Sequence, residues 1–276
     1  MFLAAIFALS AAIAWGSGDF IAGLAARRVG PFRTVLISYS VGLLALLIVA
    51  LVRNEPIPHT TDILWGALAG LSGMIGLGFL LRGFASGQIS IVAPVSAVLA
   101  AAIPVIFAAF KEGLPHELQL LGFGLALVSI WLFSRPGPLG YRPAGLGMAL
   151  LAGLGFSGFF IILSLVGENA IFWPLISGRL VACVLMTAFG LTTRRLVFPP
   201  HFPLGLLALI GVIDVSGNLF FLLAVQMGRL DVSAVLVSLY PAVTVILARL
   251  VNREKLARLQ VIGVILAVLA IVLITI

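Results

Sequence analysis

Charged residues and cysteine are both scarce in this sequence. Asp, Glu, Lys and Arg make up 9% of the 276 residues, against 62% hydrophobic residues and a mean hydropathy of +1.28. Ordinary soluble domains carry about 25% charged residues, so the composition excludes that class. Cys183 is the single cysteine and permits no disulfide within the chain.

Motifs for catalysis and for metal binding are missing as well. The sequence has no HExxH helix, no Cys/His ligand cluster and no P-loop. Two Gly-x-Ser-Gly quartets, at 70–73 and 155–158, are similar to the serine motif of intramembrane rhomboid proteases. A serine nucleophile needs a base within hydrogen-bond reach, and the three histidines, His59, His116 and His201, all fall in loops. We therefore predict no enzymatic activity, no metal site and no cofactor.

Ten apolar stretches, each about long enough to cross a bilayer, fill almost the whole chain. Lipid offers no hydrogen bonds to the backbone, so stretches of this kind must span as helices. The sequence predicts an all-α, multi-pass integral membrane protein whose first stretch is a membrane helix rather than a cleaved leader. The predicted spans are 2–24, 32–52, 63–81, 89–110, 117–134, 144–166, 171–191, 204–226, 231–250 and 257–276.

The second five spans repeat features of the first five at an offset of about 140 residues. Matching positions occur in several spans: Ser17 and Ser157, Phe20 and Phe160, Leu81 and Leu222, Gly87 and Gly228, Ser96 and Ser238, Glu112 and Glu254, and Gly122 and Gly263. Because each repeat has an odd number of spans, the two repeats must run in opposite directions. We predict a 5+5 inverted repeat, with one unit at 1–140 and the other at 141–276.

Three segments carry a resemblance to a known family. They are Ala-Trp-Gly-Ser-Gly-Asp-Phe at 14–20, the block from Val92-Ala93-Pro94 to Glu112, and the block from Tyr240-Pro241 to Glu254. In order and spacing the chain resembles the EamA-type ten-helix transporters of the drug/metabolite transporter superfamily. The resemblance implies a five-plus-five bundle around a central cavity, in a bacterial or archaeal cell membrane. The chain departs from symmetry between its halves at one candidate residue, because Asp19 aligns with Phe159 rather than with a second acidic residue.

The function we expect is secondary transport of a small metabolite by alternating access, as an exporter and with proton coupling left open. Without an ATPase site, active transport must use an ion gradient, exchange or an ATPase partner. The alternative is a membrane structural or accessory protein that carries nothing, or only lipid. The sequence does not decide between a monomer and a homodimer.

The basic residues indicate how the chain faces the membrane. Loops after odd-numbered spans hold most of the sixteen Lys and Arg residues, whereas those after even-numbered spans hold Arg53, Lys111 and Arg229. Cytoplasmic loops are richer in Lys and Arg, so this bias places the odd loops inside and both termini outside. The resemblance implies cytoplasmic termini instead, and we favour the charge count. The net charge of +7 is then explained by topology and lipid headgroups, without a nucleic-acid partner.

Three ionisable residues within spans, Asp19, Arg179 and Asp214, are the first candidates for a substrate or proton path. A charge facing lipid at the bilayer centre costs about 2.5–3.5 kcal/mol, so each should face the bundle interior. Asp214 and Arg179 are placed about 15 Å and about 12 Å from opposite surfaces, which favours an ion pair. That pair either lines a cavity or only fastens two helices. Asp19 either carries a proton or pairs with nearby Arg27 or Arg28.

Four further residues complete the candidate path. Asn218 lies one turn after Asp214 on the same helical face, where it binds substrate or bonds helix to helix. Trp15 either forms a cavity wall or packs in the bundle. Tyr39 and Tyr240 place hydroxyl groups within spans, where interface anchoring or helix bonding is an alternative role. Pro94, Pro104 and Pro241 are expected to interrupt helices near the cavity.

Overall fold

The computed structural model describes residues 2–86, 89–133, 144–194, 203–252 and 258–275, and within these ranges the chain forms eleven α-helices. Their bounds are α1 Phe2–Val29, α2 Pro31–Val52, α3 Thr60–Ala85, α4 Ile89–Glu112, α5 Glu117–Phe133, α6 Ala144–Leu163, α7 Phe172–Thr192, α8 Leu204–Met227, α9 Leu230–Val237, α10 Tyr240–Asn252 and α11 Arg258–Thr275. Seven of them, α1 to α4 and α6 to α8, contain stretches long and apolar enough to cross a membrane. The predicted all-α fold of ten spans is confirmed.

The ninth predicted span is not one continuous helix. It consists of α9 and α10, which are separated by a turn at Ser238 and Leu239. Pro241 has no N–H to donate, and its ring would collide with the carbonyl of Val237 one turn earlier. The break expected at Pro241 is therefore present.

The same expectation was wrong for α4, which runs without interruption through positions 94 and 104. Membrane helices tolerate proline where neighbouring helices and local adjustments satisfy the freed backbone groups. Proline alone is therefore a poor predictor of where a span is broken.

The packing of the helices is symmetric with respect to the two halves. The first helix of each half packs against the third helix of the other, as α1 on α8 and α6 on α3. The second helix of each half packs against the third helix of the other, as α2 on α8 and α7 on α3. The two fifth helices, α5 and α11, pack against each other. This reciprocity is the pseudo-two-fold arrangement of a 5+5 inverted repeat.

Small residues allow the central helices to approach closely. A Cβ added at Gly66 or Gly70 on α3 would overlap the backbone of Pro174 or Gly178 on α7. Close approach through small residues is the usual way in which membrane helices associate. At the periphery, the Ser129 hydroxyl of α5 donates to the Gly263 carbonyl of α11 at 2.8 Å.

Two membrane faces follow from this topology. We call the face with the loops 53–59, 113–116, 164–171 and 228–229 the even face. The opposite face, at which α1, α3, α5, α7 and α10 end, is called the odd face. The Lys and Arg bias predicts that the odd face is cytoplasmic.

Candidate functional site

A cavity of about 220 Å³ lies between the halves, and helices of both halves line it. Its described lining comes from α1 to α4 in the first half and from α6, α7, α8 and α10 in the second. All seven sequence-predicted site residues line this one cavity: Trp15, Asp19, Tyr39, Arg179, Asp214, Asn218 and Tyr240. The structure thus brings them together, while their role in transport stays a prediction.

Arg179 and Asp214 form an ion pair between α7 and α8, which confirms the pairing expected from their depths. The Arg179 side chain is only 7% exposed, whereas that of Asp214 is 27% exposed and faces the cavity. The guanidinium carbon of Arg179 also lies 4.0 Å from the ring centroid of Tyr39, a cation–π contact. Arg179 is therefore held on one side by a carboxylate and on another by an aromatic face.

Two further side chains bond to the backbone of Asp214. The Asn218 amide donates to the Asp214 carbonyl at 3.0 Å and lies 3.5 Å from its carboxylate. The Trp15 indole N–H donates to the same carbonyl at 3.3 Å, which connects α1 to α8. These bonds hold Asp214 in place from its own helix and from the first helix of the other half.

Asp19 differs from the other ionisable residues of the cavity. Its side chain is exposed to the cavity, and the ion pairs and hydrogen bonds of the described residues do not include it. The predicted pairing with Arg27 or Arg28 is wrong, because eight or more residues of helix rise about 12 Å. Both arginines are exposed near the end of α1.

An aromatic cluster forms one wall of the cavity. The Trp15 ring stacks on Phe160 at a centroid distance of 5.9 Å and an interplanar angle of 13°. Phe159 lies 6.2 Å from Trp15, and the fully buried Phe221 lies 4.6 Å from Phe160. Sequence reasoning missed the three phenylalanines, because aromatic residues in an apolar span look like ordinary core. The repeat alignment, which pairs Phe159 with Asp19 and Phe160 with Phe20, was an available signal for two of them.

Polar bonds between the halves close the even face. The Glu55 carboxylate accepts from the backbone N–H of Ile171 at 2.8 Å, and the Asp62 carboxylate accepts from that of Gly167 at 2.8 Å. Arg229 donates to the Gly113 carbonyl at 2.7 Å. Each bond joins a residue of the first half to one of the second.

Arg229 has an additional role at this face. Its guanidinium donates to the carboxylate of Asp231, a fully buried residue at the start of α9, at 2.7 Å. It also lies 4.0 Å from the carboxylate of Glu112, the last residue of α4. A single arginine thus ties the fourth span of one half to the ninth span of the other.

Metal binding finds no support in the described part of the chain, where no three His, Cys, Asp or Glu side chains cluster closely enough to hold an ion.

A model of the EamA-like transporter family matches the sequence twice, at residues 2–135 and at residues 143–276. The chain belongs to this family. The sequence resemblance is confirmed, and the protein is a multi-pass integral membrane protein of a transporter family that is generally non-enzymatic.

Among solved structures, 29 chains match the fold of this protein. One crystal structure of a protein superposes with a TM-score of 0.80 at 15% identity, over 99% of this chain and 98% of that chain. An identity this low shows a common fold and nothing about substrate. No functionally curated protein matches the sequence.

Proposed function

We propose that this protein is a secondary transporter that exports a small metabolite by alternating access. The observation that carries the proposal is the central cavity, which lies between two inverted halves and contains polar groups. In transporters of this architecture, one repeat rocks against the other around a fixed midplane site. The assignment to a bacterial or archaeal cell membrane rests on the family resemblance.

The packing of the fourth and ninth spans favours a cavity that opens toward the odd face. α4 packs against α9, the even-face part of the ninth span. α10, the odd-face part of that span, packs against α1, α5 and α11. The two spans therefore meet near the even face and separate toward the odd face.

The direction of transport that we propose is supported by this opening together with the charge bias. Loops rich in Lys and Arg lie in the cytoplasm, so the open odd face is on the cytoplasmic side. A cavity that opens there loads solute from inside the cell, which supports export. Proton coupling stays a prediction.

A non-transporting structural protein would be expected to have fully paired polar residues and a sealed interior. The exposed carboxylate of Asp19 and the cavity around it favour transport over that alternative.

A reversible cross-link on the even face tests alternating access. A Cβ placed on Gly167 would lie 3.8 Å from Asp62 Cγ, close enough that cysteines at both positions should form a disulfide after a small shift. The double variant is made with Cys183→Ser, reconstituted into vesicles loaded with a cell metabolite extract, and assayed for efflux. We expect oxidation to stop the efflux of the transported solute and a reducing agent to restore it.

Each single-cysteine variant, oxidised in the same way, is the control and should keep its flux. Efflux that continues after complete cross-linking would contradict alternating access. If every metabolite of the extract leaves vesicles with the protein no faster than vesicles without it, transport itself is contradicted.

A further inference from the structure

The basic and acidic side chains of the cavity differ in how accessible their charges are to a solute. Arg179 is the one basic side chain among the described lining residues, and it is buried, paired with Asp214 and covered by the Tyr39 ring. A guanidinium in this position has little surface left for a substrate carboxylate. The positive charge of the cavity is therefore already matched within the protein.

The negative charge is not matched in the same way. Asp214 neutralises Arg179, which leaves Asp19 as an additional carboxylate, exposed to the cavity and without an ion-pair partner among the described residues. With both carboxylates ionised, the three groups sum to one negative charge. An anionic solute would meet this charge across a low-dielectric space, where like charges repel strongly.

Aromatic and aliphatic groups form most of the rest of the wall. Trp15, Phe156, Phe159 and Phe160 line it together with aliphatic residues of α3. Aromatic faces attract organic cations, and this attraction grows when the cation is desolvated. The cavity volume of about 220 Å³ suits a small solute.

We propose that the transported solute is a small organic monocation, an amine with an apolar body, whose charge is recognised by Asp19. The proposal rests on the transport function above and specifies its substrate class. The aromatic wall receives the apolar body of the solute. The Arg179–Asp214 pair does not bind the solute directly; because its two charges cancel, the negative charge of Asp19 is left in the cavity.

Binding to the purified protein in detergent, measured by isothermal titration calorimetry, tests the proposal with probes matched in size. The cations are 2-phenylethylamine, phenyltrimethylammonium and n-hexylamine, and the comparison compounds are the neutral 2-phenylethanol and the anion phenylacetate. We expect saturable binding of at least one cation. Phenylethanol and phenylacetate should bind at least about tenfold more weakly than that cation, which corresponds to about 1.4 kcal/mol.

Variants at Asp19 separate recognition by charge from mere packing. Asp19→Asn should lower the affinity for the cation at least about tenfold, while Asp19→Glu, which keeps the charge, should retain most of it. Glu168→Gln removes an exposed carboxylate in the loop after α6 and should leave the affinity unchanged. Size-exclusion profiles like that of the unsubstituted protein establish that the variants are folded.

Three results would overturn the cation site: no saturable binding of any of the three cations, phenylacetate binding as tight as cation binding, or undiminished cation binding by Asp19→Asn. Flux in vesicles distinguishes failure here from failure of the transport function. Amine binding without any flux would remove the transport function and keep the cation site. Flux of anions without flux of the cationic probes would remove the cation site and keep the transport function.

Discussion

Substituting Asp214 by asparagine should leave the charge of Arg179 inside the bundle without its counter-ion. The Arg179 side chain is 7% exposed, so water can replace the lost carboxylate only in part. Breaking a buried ion pair by removing one partner costs about 3–5 kcal/mol. Because Asp214 itself is 27% exposed to the cavity, we expect the lower end, about 3 kcal/mol.

The assay has two independent readouts, thermal unfolding in detergent and solute flux in reconstituted vesicles. Asp214→Asn should unfold at a lower temperature, remain folded at room temperature and show no flux. Ser216→Ala is a matched control on the same helix, because the one bond of its hydroxyl among the described residues goes to the Val212 carbonyl one turn earlier. It should change stability by less than about 0.5 kcal/mol and leave flux intact.

A double variant decides whether the pair acts in transport or only fastens α7 to α8. Replacing a buried pair by apolar residues of similar volume is often neutral or stabilising, so Arg179→Met with Asp214→Leu should regain most of the lost stability. We expect its flux to stay absent. Flux regained together with stability would refute a role for the pair in transport, and so would unchanged flux in Asp214→Asn.

Three further substitutions, two of them paired with a control variant, test the packing and the closure of the even face by thermal unfolding. Trp15→Phe keeps the stacked ring but loses one hydrogen bond to α8, so it should cost about 1 kcal/mol; a cost above about 3 kcal/mol would contradict this. Gly70→Ala should destabilise although alanine is the better helix former, because its Cβ overlaps α7. Its control is Gly78→Ala, which should be neutral or stabilising because nothing lies within 4 Å of a Cβ added there. Equal losses of stability in Gly70→Ala and Gly78→Ala would refute the close contact of α3 with α7. Arg229→Gln leaves a buried carboxylate of α9 unpaired and should cost about 3 kcal/mol, whereas Lys111→Gln, at an exposed neighbouring site, should cost little.

The spans were largely predictable because the lipid environment imposes one simple rule on the backbone. The span predicted at 204–226 is α8 at Leu204–Met227, and that predicted at 171–191 is α7 at Phe172–Thr192. The helix α1 continues to Val29, past the predicted end at 24. Hydropathy ends a span at its first arginines, whereas the helix itself continues into the headgroup layer, where long basic side chains reach water.

The partners of ionisable residues were predictable where charge made burial costly. Arg179 and Asp214 could be paired from their depths alone, because an unpaired charge in lipid is expensive. The same reasoning failed for Asp19, because a carboxylate exposed to a cavity can do without an ion-pair partner. Phe159 and Phe160 stayed hidden because apolar packing leaves no distinctive spacing in a span that is apolar throughout.

The two halves contribute equivalent positions but different chemistry. At the repeat offset of about 140 residues, Tyr39 of α2 corresponds to Arg179 of α7, and these two side chains touch. Equivalent positions that contact each other must lie close to the pseudo-two-fold axis, where rocking of one half against the other moves residues least. We therefore expect the contact between Arg179 and Tyr39 to persist in the conformation open to the even face, while the bond from Arg229 to Gly113 is broken. Trapping that conformation and finding the guanidinium away from the ring would show that the halves do not pivot about this axis.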